Sequence, residues 1–157
     1  MAADGGVGTL TMNRLEQIFI KRMKRGPMDP VEKARVIAGK GIVGNANQGG
    51  KRQVTIVSAK HWKEVTAPLG ETPDVKVRRC NLLVSDIDFN DSHGKILTIG
   101  NVRVRIYGET RPCEQMEKAA PGLQAAMKVP FGGGAFGEIL DDGEIAVGDP
   151  VALSNDV

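Results

Sequence analysis

The chain has 157 residues and a mass of 16.8 kDa, enough for one domain with a substantial core and no covalent staples. Its 21 basic and 19 acidic residues leave a net charge of +2, and only 4% of residues are aromatic. That balance argues against a nucleic-acid protein, which would show a stronger basic excess or stacking platforms. Two cysteines, Cys80 and Cys113, without CxxC spacing exclude a disulfide framework and fit a reducing compartment. Met1 to Gly6 carries neither a basic n-region nor an apolar h-region, and no apolar run approaches the ~18 residues of a membrane span. A soluble, cytoplasmic protein is expected, with no nucleic-acid or membrane partner.

In chain order, residues 1–11 are small, Gly-rich and weakly patterned, and predict a mobile tail ahead of a single domain over 12–157. Leu15 to Ile20 reads as a strand, followed by a basic run, Lys21-Arg22-Met23-Lys24-Arg25. Gly26-Pro27-Met28-Asp29-Pro30 should break the chain, because proline removes a donor and restricts its predecessor. Val36 to Ala38 is a short strand candidate before a polar, Gly-rich loop from Asn45 to Gly50. Arg52 to Ser58 is β-branched and strand-like. Ser58 is placed to cap a helix over 59–67.

Val75 to Leu83 predicts a further strand that includes a second basic cluster, Lys76-Val77-Arg78-Arg79. Ile96, Thr98, Val102, Val104 and Ile106 alternate around Gly100-Asn101, the strongest hairpin signal in the chain. A short helix is expected after Cys113, interrupted near Pro121-Gly122 and resuming to about Lys128. Residues 136–140 and 144–147 predict a closing hairpin around Asp141-Asp142-Gly143, followed by a strand over 151–153. Short strands between tight turns, with two helical segments, indicate a barrel-like or mixed β-rich fold.

Two motifs fail on inspection. Gly132 to Gly137 matches GxGxxG, but a dinucleotide site needs a following helix and an acidic residue further on, and the remaining residues read as strands. Asp86-Ile87-Asp88-Phe89-Asn90-Asp91 opens like a calcium loop, yet Asp91 and Leu97 occupy the positions that need Gly and Glu. Trp62 and Cys80 read as packing residues, and His61 and His93 are too few for a histidine-rich metal site.

Chemistry concentrates around Cys113, in Gly108-Glu109-Thr110-Arg111-Pro112-Cys113-Glu114-Gln115-Met116. A thiol at a helix N-terminus is acidified by unpaired N–H groups, and Arg111 adds a cation. Such a thiolate suits soft-metal ligation, sulfane-sulfur carriage or nucleophilic attack; a small buried hydrophobe is the competing reading. Gly41 to Gly50 offers a flexible loop whose amides face an anion, followed by Lys51 and Arg52. Arg79, a planar donor fork, and Asn81 are two apart and would share a strand face.

Taken together, Gly41-Ile42-Val43-Gly44, Gly49-Gly50, Arg52-Gln53-Val54-Thr55, Arg79-Cys80-Asn81-Leu82-Leu83, Thr110-Arg111-Pro112-Cys113 and Gly148-Asp149-Pro150-Val151 resemble the MOSC family. The family is named for the C-terminal domain of molybdenum-cofactor sulfurases. The resemblance covers about Leu15 to Leu153 and implies a β-rich mixed α/β domain, a strand-hairpin β-barrel with two short helical segments. It implies that Cys113 ligates molybdenum in a pterin cofactor or carries sulfur, for redox or sulfur-transfer chemistry. It further implies that Arg52, Arg79, Asn81, Thr110 and Arg111 line an anionic pterin-phosphate pocket. The implied partners are a small-molecule substrate and a sulfur donor or electron-transfer protein. Pyridoxal phosphate belongs to the fused sulfurase domain and is not expected here, since no lysine is singled out for a Schiff base.

Many relatives carry Asp and His where this chain has Asn45 and Asn47, which removes an acid/base pair. A non-catalytic module that binds a phosphorylated ligand or docks on a partner is therefore the alternative function.

Overall fold

The structure, a computed structural model of the chain, describes residues 13–24, 26–70, 79–110, 122–127 and 134–154. The strands are β1 (Leu15–Lys21), β2 (Met28–Val31), β3 (Lys33–Ile37), β4 (Gly41–Ile42), β5 (Val54–Ser58), β6 (Leu82–Val84), β7 (Ile96–Ile99), β8 (Val102–Glu109), β9 (Ala135–Ile139), β10 (Gly143–Ala146) and β11 (Val151–Ser154). Helix α1 (Ala59–Thr66), extended by a 3-10 turn over Ala67–Leu69, and helix α2 (Leu123–Ala126) complete the described elements. Among them no helix is long and apolar enough to cross a membrane.

An eight-stranded sheet runs β11-β7-β8-β9-β5-β6-β1-β2, and a three-stranded sheet runs β10-β3-β4. The fold is thus the expected β-rich mixed α/β. Among the described residues the strand pairings do not close into a continuous barrel ladder. One antiparallel bridge, Arg14–Pro150, ties the start of β1 to the entry of β11, flanked by bonds from Leu15 N–H to the Asp149 carbonyl and from Val151 N–H to the Asn13 carbonyl.

The alternation in β8 is borne out: Val102, Val104 and Ile106 face the core while Arg103, Arg105 and Tyr107 face outward. With β7 they form the hairpin signalled by Gly100-Asn101, pairing Ile99 with Val102. The main core gathers these side chains with Leu15, Ile18, Val36, Ile42, Ile56, Leu82, Phe89 and Ile145, so the small sheet packs its apolar face against the large one. A second cluster of Phe19, Met28, Val57, Trp62, Val65, Cys80 and Met127 lies under the helices. Because β5 lies between the two clusters, all five of its residues are buried. It pairs in parallel with β6, making β5-α1-β6 a βαβ unit.

Three local expectations are corrected. Met28–Val31 is a strand despite Pro30, which is tolerated because β2 is the sheet edge and pairs only with β1. Ser58 occupies the N-cap position of α1, but its hydroxyl donates to the Ser85 carbonyl (3.1 Å) and gives no side-chain cap. The closing hairpin is not formed: β9 pairs with β5 and β8, while β10 pairs with β3. Asp142 accepts the Ala38 N–H (2.8 Å) and Gly39 N–H donates to the Ile139 carbonyl, which carries the chain from one sheet to the other as Ile145 enters the core. The predicted strand over residues 75–81 lies largely outside the described residues, and β6 begins only at Leu82.

At that crossing Asp141 accepts from the main-chain N–H, Nε and Nη2 of Arg103 (2.9, 2.9 and 3.0 Å). These bonds hold its carboxyl below the usual carboxylate range, although burial pulls the other way. A depressed folded pKa contributes stability above the unfolded carboxylate range and loses it as pH falls through the folded value. Thermal melts from pH 6 down to about pH 3 should therefore show a shallower acid loss for Asp141→Asn than for the wild type. Parallel acid limbs would refute the contribution.

Candidate functional site

The loop after β4 is pinned from inside. Gly41 has φ 128° and lies so close to Gln53 that a Cβ would sit 3.2 Å from the Gln53 carbonyl oxygen, so glycine is required there. Gln53 is buried; its Nε2 donates to the Gly50 carbonyl (2.8 Å) and its Oε1 accepts from Ile139 N–H (3.1 Å). Gln48 Nε2 reaches the carbonyls of Ile42 (2.8 Å) and Asn45 (2.9 Å). The N–H groups of Val43, Asn45, Ala46 and Gly49 donate to the carbonyls of Arg35, Ile42, Lys21 and Lys40. The expectation of a flexible loop with its amides facing an anion is narrowed, because four of those amides are already used.

Asn81 joins that loop to the sheet. Its Oδ1 accepts from the Thr55 N–H (3.1 Å) and hydroxyl (3.3 Å), and its Nδ2 donates to the Phe19 carbonyl (3.1 Å) and Asn45 Oδ1 (3.1 Å). Every hydrogen-bonding position of this buried carboxamide is thereby filled. Asn81 positions the site's frame and has no polar position left to offer a ligand.

Asn45, likewise buried, is only half satisfied. Its Oδ1 accepts from the Lys21 N–H (2.9 Å) and from Asn81, whereas its Nδ2 is buried without a partner among the described residues.

Arg79 and Asn81 do not share a strand face, because both precede β6 and Arg79 has φ 61°. That left-handed backbone is costly for a non-glycine residue and points to local constraint. The Arg79 guanidinium donates to the Gly26 carbonyl, tying the β1–β2 turn to β6. Arg52 precedes β5 and places its guanidinium 6.0 Å from the centre of the Phe136 ring on β9.

The charges of Arg79, Arg52 and Lys24 all bear on Lys21. Its ammonium is held below the usual lysine range first by partial burial, then by those three like charges in that order. Among the described residues none of the four cations forms an ion pair, whereas neighbouring Arg22 is matched by Asp29.

Thr110 is buried at the end of β8, and its N–H donates to the Gly134 carbonyl (2.9 Å). Gly134 abuts Ile56, so β9 and β5 separate Thr110 from Asn81's neighbour Leu82. Arg111 and Cys113 lie outside the described residues.

The structure thus brings Arg52, Arg79 and Asn81 together and adds Lys21 and Asn45, which sequence reasoning did not assign to the site. The basic run from Lys21 was a visible signal, but nothing in its spacing tied it to Arg52 or Arg79. Among the described residues no group of three or more His, Cys, Asp and Glu could hold a metal. In Asp86 to Asp91, Asp88 accepts the Asn90 N–H (2.9 Å), while Ile87 and Phe89 are buried in the core. The segment after Gly134 is strand β9, which supplies no helix for a dinucleotide loop.

The fold is similar to solved structures over most of its length. The YuaD protein from Bacillus subtilis superposes with a TM-score of 0.75 at 20% identity, covering 91% of this chain and 96% of that one. YiiM from Geobacillus stearothermophilus gives 0.69 at 18% identity, covering 90% and 74%. YiiM from Escherichia coli gives 0.65 at 15%, covering 92% and 71%. At these identities the likeness concerns the fold alone. No curated protein matches the sequence significantly. The sequence profile of the MOSC domain matches residues 35–152, which contain the pinned loop, Arg52, Arg79 to Asn81 and the Cys113 run. The chain belongs to the MOSC domain family.

Proposed function

We propose that the protein uses Cys113 to ligate a molybdenum–pterin cofactor or to carry sulfur, with the basic face of Lys21, Arg52 and Arg79 holding the anionic part of the ligand. The observation that supports this most is the unpaired convergence of those cations beside the pinned loop, in a MOSC chain. Cations left without carboxylates keep their Coulomb attraction for an incoming anion. The donor set suits a phosphate: Arg52 and Arg79 offer planar forks and Lys21 a point charge. Thr110 and Arg111, next in the chain to Cys113, would complete the phosphate side, while Asn81 acts by positioning. On this reading the strand ring is the family's barrel, with the Arg14–Pro150 bridge as its seam.

Cys113 would supply a soft thiolate to the metal, or hold a persulfide for transfer. When bound, the oxo-molybdenum centre would supply two-electron oxygen-atom chemistry on an N-hydroxylated substrate. The chain's own residues would bind and orient: Lys21, Arg52 and Arg79 neutralise the anion, and Asn81 fixes the loop. A non-catalytic module that binds a phosphorylated ligand or docks on a partner is favoured only by the absence of acid/base groups at Asn45 and Asn47.

The test is metal, pterin and sulfane-sulfur content of wild type and Cys113→Ser after anaerobic purification from a cofactor-producing host. Stoichiometric molybdenum and pterin, lost in the variant, supports the redox form. Labile sulfur that depends on Cys113 supports the transfer form. Contents that do not change on replacing Cys113 overturn the reading.

A further inference from the structure

The orientation of the Asn45 carboxamide is fixed by its neighbours. Oδ1 receives two N–H donors, from the Lys21 main chain (2.9 Å) and from Asn81 Nδ2 (3.1 Å). A flipped amide would set its NH2 against both donors, so the observed rotamer is the one the network allows. Nδ2 is therefore turned away from the two groups that hold the side chain, in a residue only 5% exposed. It has no acceptor. A buried donor without a partner costs about 1–3 kcal/mol, and native interiors rarely carry one without a reason.

Its surroundings define what could satisfy it. The carboxamide is bonded to the main chain of Lys21, the residue on which the charges of Arg79, Arg52 and Lys24 converge. Among the described residues no carboxylate pairs with these cations. An acceptor that reaches Nδ2 in this field is stabilised if it is anionic, and a donor or cation is repelled.

We propose that Asn45 is a ligand-binding residue whose Nδ2 donates, directly or through one bridging water, to an oxyanion of the phosphate class neutralised by Lys21, Arg52 and Arg79. This rests on the reading of the basic face as the ligand site, and it is independent of what Cys113 does. An amide in this place offers the oxyanion a donor that the Asp of many relatives lacks.

The experiment is calorimetric titration of the full chain with inorganic phosphate at low ionic strength, with chloride as the control. Wild type should bind saturably, and Asn45→Asp should weaken binding by about tenfold or more through charge repulsion. The titration uses phosphate without metal, pterin or a sulfur donor, so that failure of the thiol chemistry and failure of this site are read separately. Circular dichroism melts check that Asn45→Asp folds. If it does not, Asn45→Ala serves instead and should lose roughly fivefold. Affinity within about twofold of wild type in the folded variant, or no saturable phosphate binding by wild type up to about 20 mM, overturns the proposal.

Discussion

Asn81→Ala is expected to lower the melting temperature by roughly 5–15 °C, from a loss of about 2–4 kcal/mol. The change removes four hydrogen bonds at once, leaving the buried Thr55 N–H and the Phe19 carbonyl without their side-chain partner and Asn45 with one donor fewer. Asn81→Asp should be at least as damaging, although its shape is nearly the same. One carboxylate oxygen could still accept from Thr55. The other would face the Phe19 carbonyl and Asn45 Oδ1, two acceptors with no proton between them. Differential scanning calorimetry of the three proteins tests the argument, and a shift of less than about 2 °C for Asn81→Ala would falsify it. The same variant should loosen the pinned loop and weaken anion binding, since Asn81 holds Asn45 as well as the sheet.

Gly137→Ala carries the other large effect, and its cause is steric. Gly137 lies where the β8–β9 register shifts, pairing with Ile106 immediately after Phe136 pairs with Gly108. A Cβ there would collide with the Arg105 carbonyl oxygen and sit 3.2 Å from Val104 Cγ1. The nearest obstacle is main chain in the middle of the large sheet, so no side-chain rotation relieves it. The two strands must part, at a cost on the order of 3 kcal/mol or more, which for this size is roughly 10 °C in melting temperature. Urea unfolding provides the check: the midpoint should fall with little change in slope. An unchanged midpoint would mean that the bulge widens freely, against its position between β5 and β8.

Where a signal was local, it survived folding. The alternation of Val102, Val104 and Ile106 and the Gly100-Asn101 turn produced the hairpin they predict, because both the turn and the period of two act within a few residues. The motif series from Gly41 to Val151 likewise points to a MOSC chain, and the sequence profile bears that out. Asp141-Asp142-Gly143 looked equally local and misled. The burial of Ile145 and the bonds of Asp142 to Ala38 and of Asp141 to Arg103 recruit the two strands into different sheets.

Strand periodicity by itself determined a β-rich mixed α/β fold, and the series of motifs determined the family. Only the tertiary structure decided which polar groups remain available. Gln48 and Gln53 use up the loop they pin, Asn81 is spent on Thr55, Phe19 and Asn45, and Asn45 keeps a donor unmet among the described residues. Lys21 joins Arg52 and Arg79 because the β1–β6 pairing and the Asn45 bridge bring distant segments together. Hydrogen-bond saturation and charge convergence depend on contacts between residues far apart in the chain, and no local period encodes them.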